Sequence, residues 1–362
     1  MLRAISAVVA VFAFIANAHA QVPQGYPADY AKIVEAAERE GKLVVYSNTD
    51  PNLARLLLRD FAELYPRIRV DYIDLNSGQL YQRFLAEVAR GADSADLLWA
   101  SSMDGQMKLA SEGHAAVYAS PEIPSLPKWA VWQNQAYGTT YEPVTFVYNK
   151  RLMQATDVPQ DHPALLALLT NKTEIYKGRI AAYDPEQSGT GYLFATQDVK
   201  NFSQAWDLFR AFGKASIQLS TTAADMMERV AQGEHAIAYG IFGSYALART
   251  RNDPELGIVL PTDYALIMSR VAFITAKARR PNAARLFLDY LLSQRGQNII
   301  ANQADLYSIR GDVSGEATMQ RVTALIGDKA RPIPISPDLL AALTAAQRQD
   351  FSMKWQAAIK GR

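Results

Sequence analysis

No cysteine occurs in the 362 residues, so neither a disulfide framework nor lipid attachment through a thiol is available. Histidine is scarce too. The four histidines show no metal-ligand spacing, which argues against a zinc enzyme. A charge excess is also missing: 37 basic residues face 36 acidic ones, and removing Arg3 with a leader brings them into balance. Such balance offers no broad cationic surface for nucleic acid or an anionic membrane, so any anion must be caught locally. There is no Gly-x-Ser-x-Gly elbow, and His114, His162 and His235 lie outside the turns placed at a cleft. A catalytic triad is therefore not expected, and no catalytic residue is assigned.

Long apolar runs are lacking as well. The run at 7–15 follows Arg3 and precedes Ala18-His19-Ala20, the pattern of a secretory leader cleaved after Ala20. It is short for a bilayer span. Secretion without cysteine points to a bacterial periplasm.

What is present is an alternation of strand, polar turn and helix. Helix 26–40 leads to an apolar strand at 43–46 and then to Ser47-Asn48-Thr49, with Asp50 and Pro51 suited to cap and open the next helix. A second strand at 70–75 ends before Asn76-Ser77-Gly78 and a helix. A third, at 95–100, ends at Ser101-Ser102 and another helix. Such repetition predicts a parallel sheet with helices on both faces, and ligands in such sheets sit beyond the carboxyl ends of the strands. Ser47, Asn48, Thr49, Ser77, Gly78, Ser101 and Ser102 are accordingly candidate ligand contacts, although turns favour such residues anyway.

The chain is organised around residues 137–149. The half at 144–148 is β-branched and aromatic, whereas the preceding half carries hydroxyls and Glu142, with Pro143 between them. Pro143 argues against an uninterrupted central ladder. The stretch reads as a strand leaving one α/β lobe, passing a polar cleft and entering a second, which makes Thr140 and Tyr141 candidate contacts. The alternating stretch 264–275 suits a return crossing, where Arg270 either faces a bound anion or pairs with Glu142. In the second lobe, Ser188-Gly189-Thr190-Gly191 follows a strand and opens a helix. Free N–H groups at the positive end of a helix dipole make a small anion site. It is not a P-loop, because no Gly-Lys-Ser/Thr follows. Tyr239 and Phe242 complete the candidate lining. The expected division is a leader at 1–20, a first lobe of 21–143 with 268–315, and a second of 144–267 with 316–362.

With these features assembled, the chain resembles the solute-binding proteins of bacterial ABC importers. The likeness is to the ferric-iron-binding branch of the two-lobed, type II (Venus-flytrap) fold. Leu43-Val-Val-Tyr-Ser47, Ala95-Asp-Leu-Leu-Trp99, the stretch 144–152 and the stretch 239–249 carry it. The resemblance implies an α/β fold with two crossing strands as hinge, a monomeric receptor without enzymatic activity, cofactor or nucleic-acid partner, and a permease in the inner membrane. The branch's iron-binding members hold the metal with two adjacent second-lobe tyrosines and a first-lobe histidine. The matching positions here read Phe242-Gly243 and Asp50, so no metal ligands are assigned. Other members bind phosphorylated sugars, phosphonates or carboxylates at helix-terminus turns, which Ser188-Gly189-Thr190-Gly191 suits better. The expected ligand is a small organic anion. A ferric or ferric-chelate receptor, and a ligand sensor for a membrane histidine kinase, are the alternatives.

Overall fold

The computed structural model describes residues 22–360; the expected leader at 1–20 lies outside the described residues. Two sheets organise the chain. The first is built from β1 (Lys42–Ser47), β2 (Arg69–Asp74), β3 (Leu97–Ala100), β4 (Val131–Trp132), β5 (Ala136–Gly138) and, from far along the sequence, β12 (Val271–Ile274), in the order β2-β1-β3-β12-β5-β4. The second holds β6 (Glu142–Asn149), β7 (Ile180–Tyr183), β8 (Gln218–Ser220), β9 (Ile237–Phe242), β11 (Ala265–Met268) and β13 (Ala330–Pro332), in the order β13-β11-β6-β9-β7-β8. The remaining strand, β10 (Leu256–Val259), pairs with β6.

The parallel arrangement expected of the first three strands is present in β2-β1-β3. β12, β5 and β4 continue the first sheet antiparallel. Its two faces follow the period-2 alternation of β1. Leu43 and Val45 pack with Leu97, Trp99 and Ala272 in one core, under helices Ala31–Glu40, Pro51–Leu64 and Pro281–Leu292. Val44 and Tyr46 face the other way, onto helices Ser77–Ala89 and Met103–Leu109, and that core runs on into the second lobe.

Both expected crossings are present. The chain leaves β5, passes Thr139–Tyr141 and enters β6; it returns from β11 through Ser269 and Arg270 into β12. Pro143 lies inside β6, not between elements. It is opposite Ile267 of β11, where that pairing ends, and the ladder with β9 begins at the next residue, Val144. A missing N–H is tolerated where a strand changes partners. Helix Met319–Ile326 contributes Val322 and Ile326 to the first core, before β13 joins the second sheet beside β11. Helix Ala345–Lys360 closes the second lobe against helix Ala205–Lys214, burying Phe351 and Trp355. No described helix is long and apolar enough to cross a membrane.

Candidate functional site

Between the two sheets lies a cleft of about 1180 Å³, large enough for a small organic ligand. The carboxyl ends of β1, β2 and β3 supply its first-lobe side through Asn48, Asp74, Ser77 and Ser101, with Asp50–Leu53 at the start of helix Pro51–Leu64. Its second-lobe side is Tyr183 at the end of β7, Thr190, Thr221–Ala224, and Phe242 and Tyr245 around the start of helix Gly243–Asn252.

Local sequence explains why so many helix starts meet here. Each polar turn ends a strand and caps the next helix: Asp50 accepts from the Asn52 N–H, Asn76 from Gln79, Ser188 from Gly191 and Thr222 from Asp225. The helices therefore present their positive ends and remaining amide hydrogens toward the cleft. Phe242 precedes helix Gly243–Asn252 with no side-chain cap at all.

Asn48 organises the first-lobe side. Its Nδ2 donates to Ser77 Oγ at 2.8 Å and to Ser101 Oγ at 2.9 Å, while its Oδ1 accepts from the Ser101 N–H at 2.8 Å. Both serine oxygens thus serve as acceptors, which leaves each O–H hydrogen free to donate toward the cleft. Thr190 lines the opposite wall with no side-chain partner among the described residues.

The sequence candidates divide accordingly. Asn48, Ser77, Ser101, Thr190 and Phe242 are brought together in the cleft lining. Ser47 is fully buried and donates to the Trp99 carbonyl, so it braces β1 against β3. Gly78 is exposed outside the lining, Ser102 is half-buried behind Ser101, and Gly189 lies beside Thr190 at the exposed start of its helix. Ser188 caps that helix. Gly191 is buried, and its want of a Cβ is what lets the turn close: an added Cβ would come 2.7 Å from Tyr183 Cβ.

Five further candidates lie outside the cleft lining. Tyr239 is in the second core, donating to Asp198 Oδ2 at 2.7 Å and stacked on Phe146. Tyr141 is buried in the first core near Trp129. Thr49, Thr140 and Arg270 belong to a network under the cleft. Arg270 is fully buried and donates from Nε to Glu142 Oε1 at 2.9 Å, from one terminal nitrogen to Thr49 Oγ1 at 3.0 Å, and from the other to Tyr245 Oη at 3.3 Å. Thr140 donates to the same Glu142 oxygen and accepts from the Arg270 N–H, and Ser244 donates to the other Glu142 oxygen. Burial works against the guanidinium charge, but Glu142 and the Tyr245 hydroxyl outweigh it and hold Arg270 above its ordinary range. Of the two roles considered for Arg270, the hinge pair is the one formed.

Sequence reasoning missed Asp74, Thr221–Ala224, Tyr245, Arg249, Asn252 and Asp253 as lining. Thr222 had a legible signal, a capping threonine before an amphipathic helix; its strand, Gln218–Ser220, did not, being three residues without β-branching. Among the described residues, no three His, Asp or Glu side chains are grouped to hold a metal ion.

Two sheets joined by crossing strands, with a polar cleft at the strand ends, define a two-lobed binding protein of type II architecture. The chain belongs to the bacterial extracellular solute-binding protein family, which it matches over residues 42–303. It is similar to the substrate-binding protein of an ABC transporter from Agrobacterium tumefaciens, at 35% identity over 88% of this chain and 94% of the other, with a TM-score of 0.82. The fold is shared with the periplasmic binding protein AfuA of Actinobacillus pleuropneumoniae, solved with fructose 6-phosphate (22% identity, 89% and 99% coverage, TM-score 0.69). It is shared also with iron-bound HitA of Pseudomonas aeruginosa (18% identity, 88% and 99% coverage, TM-score 0.69). The family consists of solute-binding proteins rather than enzymes.

Proposed function

We propose that this solute-binding protein serves an ABC importer from the periplasm, closing its lobes over a small organic anion and delivering it to a membrane permease. The observation that carries the anionic reading is the set of aimed donors. The Ser77 and Ser101 hydroxyls have their oxygens occupied by Asn48, and they face a cleft into which capped helix starts at Thr190 and Thr222 also open. Closure excludes water, so a ligand that fails to pair a buried donor forfeits about 1–3 kcal/mol for each one. That penalty supplies selectivity. Arg270 takes no part in ligand contact on this reading; it ties the hinge strands to the floor beneath Tyr245.

A thermal-shift panel of sugar phosphates, phosphonates and carboxylates on ligand-stripped protein, with and without ferric iron, tests the proposal. A ligand at a hundred times its dissociation constant adds about 2.7 kcal/mol of stability. The expected result is a shift with an iron-free anion that is weakened in Ser101→Ala and Thr190→Val. A shift only in the presence of ferric iron contradicts it.

A further inference from the structure

Helix Gly243–Asn252 packs in the second lobe, yet both of its ends are tied beyond that lobe. At its start Ser244 donates to Glu142 and Tyr245 accepts from Arg270, which fixes this end to both crossing strands. At its far end Arg251 forks over two carboxylates of the first lobe. One terminal nitrogen donates to Asp305 Oδ1 and the other to Glu316 Oε2 at 2.6 Å. Asp305 lies between Ala304 and Leu306, both buried in the first core. Glu316 precedes Ala317, whose carbonyl accepts from the Ser308 N–H, ahead of the helix Met319–Ile326 that packs on the same core. Asp305 holds its place at φ +53°, the left-handed region that a residue with a Cβ enters at a cost.

Tyr245, Ala248, Arg249 and Asn252 of this helix line the cleft, and Arg251 does not. Across the cleft, among the described residues, no hydrogen bond or ion pair joins the lining of one lobe to that of the other. The lobes are thus apart at the cleft while Arg251 joins them beside it. Arg251 lies about 10 Å along the helix from Ser244, at 1.5 Å per residue, so rotation about the crossings displaces the Arg251 end. A lone exposed pair contributes little, but a guanidinium shared by two carboxylates is the networked arrangement in which such pairs count. We propose that Arg251, Asp305 and Glu316 form a latch of the open arrangement, which sets ligand affinity from outside the binding site. Closure breaks the latch, so its strength opposes binding. This rests on the lobe closure read above and not on which ligand is bound.

Pulsed electron paramagnetic resonance between two spin labels tests it on the ligand-free protein. The chain has no cysteine, so Arg55→Cys on helix Pro51–Leu64 and Leu219→Cys on β8 put one label on each lobe, both at exposed positions. The expected result is a main long distance and a minor shorter one in the labelled parent. Arg251→Ala raises the shorter fraction at least threefold. Asp305→Asn combined with Glu316→Gln does the same while keeping Arg251, and asparagine suits the left-handed backbone. Raising sodium chloride from about 0.05 M to about 1 M moves the parent in the same direction and leaves Arg251→Ala unchanged. An Arg251→Ala distribution equal to the parent's, or shifted to longer distances, overturns the latch. If the sugar phosphate, phosphonate or carboxylate that shifts thermal unfolding still shortens the parent's distance, closure stands and the latch alone falls. If that compound binds without shortening the distance, closure is overturned and the latch with it.

Discussion

Arg270 and Glu142 show what a single pair decides. Both side chains are fully buried, and they join the two crossing strands. Removing one partner of such a pair leaves a buried charge uncompensated and costs about 3–5 kcal/mol. Arg270→Met is therefore expected to lower the unfolding free energy from urea titration by an amount in that range, and Arg270→Met combined with Glu142→Leu to recover most of it. A second residue-scale prediction concerns Asp289. It is 1% exposed and accepts from Tyr30, Tyr118 and Ser120. Burial, only partly offset by those hydroxyls, pushes its carboxyl up to about 6 from 3.8. A carboxyl raised on folding favours the native state while protonated, so its contribution is full below about 4 and is lost as pH rises through about 6, on the order of 3 kcal/mol. Denaturant midpoints measured from pH 4 to pH 7.5 should show this decline in the parent and a flatter profile in Asp289→Asn. At this scale the sequence showed that Arg270 needed a partner and that serines ended the strands. It did not show that Asn48 joins Ser77 and Ser101, which lie 29 and 53 residues away.

Elements were legible where they are long and periodic. The helix expected after Ser101-Ser102 is Met103–Leu109, and the alternating stretch 264–275 resolves into β11 and β12 about Arg270. Strands of two or three residues, β4, β5, β8 and β13, leave no period to read. The antiparallel half of the first sheet was hidden for another reason: β12 meets β3 only through the second crossing, with Val271 opposite Ala100. The last helix offers a prediction of its own. Gly213, in helix Ala205–Lys214, lets the backbone of helix Ala345–Lys360 come so close that an added Cβ would lie 2.5 Å from the Ile359 carbonyl oxygen. Gly213→Ala is expected to cost about 1–3 kcal/mol by overpacking. Hydrogen exchange across 345–360 should accelerate, while that of the first sheet stays unchanged.

At the scale of the whole molecule, the two lobes meet through a small number of crossing segments, with the cleft opening above the Arg270 network. Rigid lobes joined in this way change shape by rotation about the crossings. The two-lobed plan was readable because each crossing carries its own signature: polar residues and a proline beside a β-branched run in one, an arginine within an apolar alternation in the other. Asp253 escaped notice as cleft lining because it also serves a local turn, and Asp50 reads in the sequence only as a cap and as the position matching the family's histidine. Ligand-driven closure is the central claim, and small-angle X-ray scattering with and without a saturating panel ligand tests it most directly. The account predicts a smaller radius of gyration and a shorter maximum dimension in the bound protein. Identical scattering at saturation would contradict it.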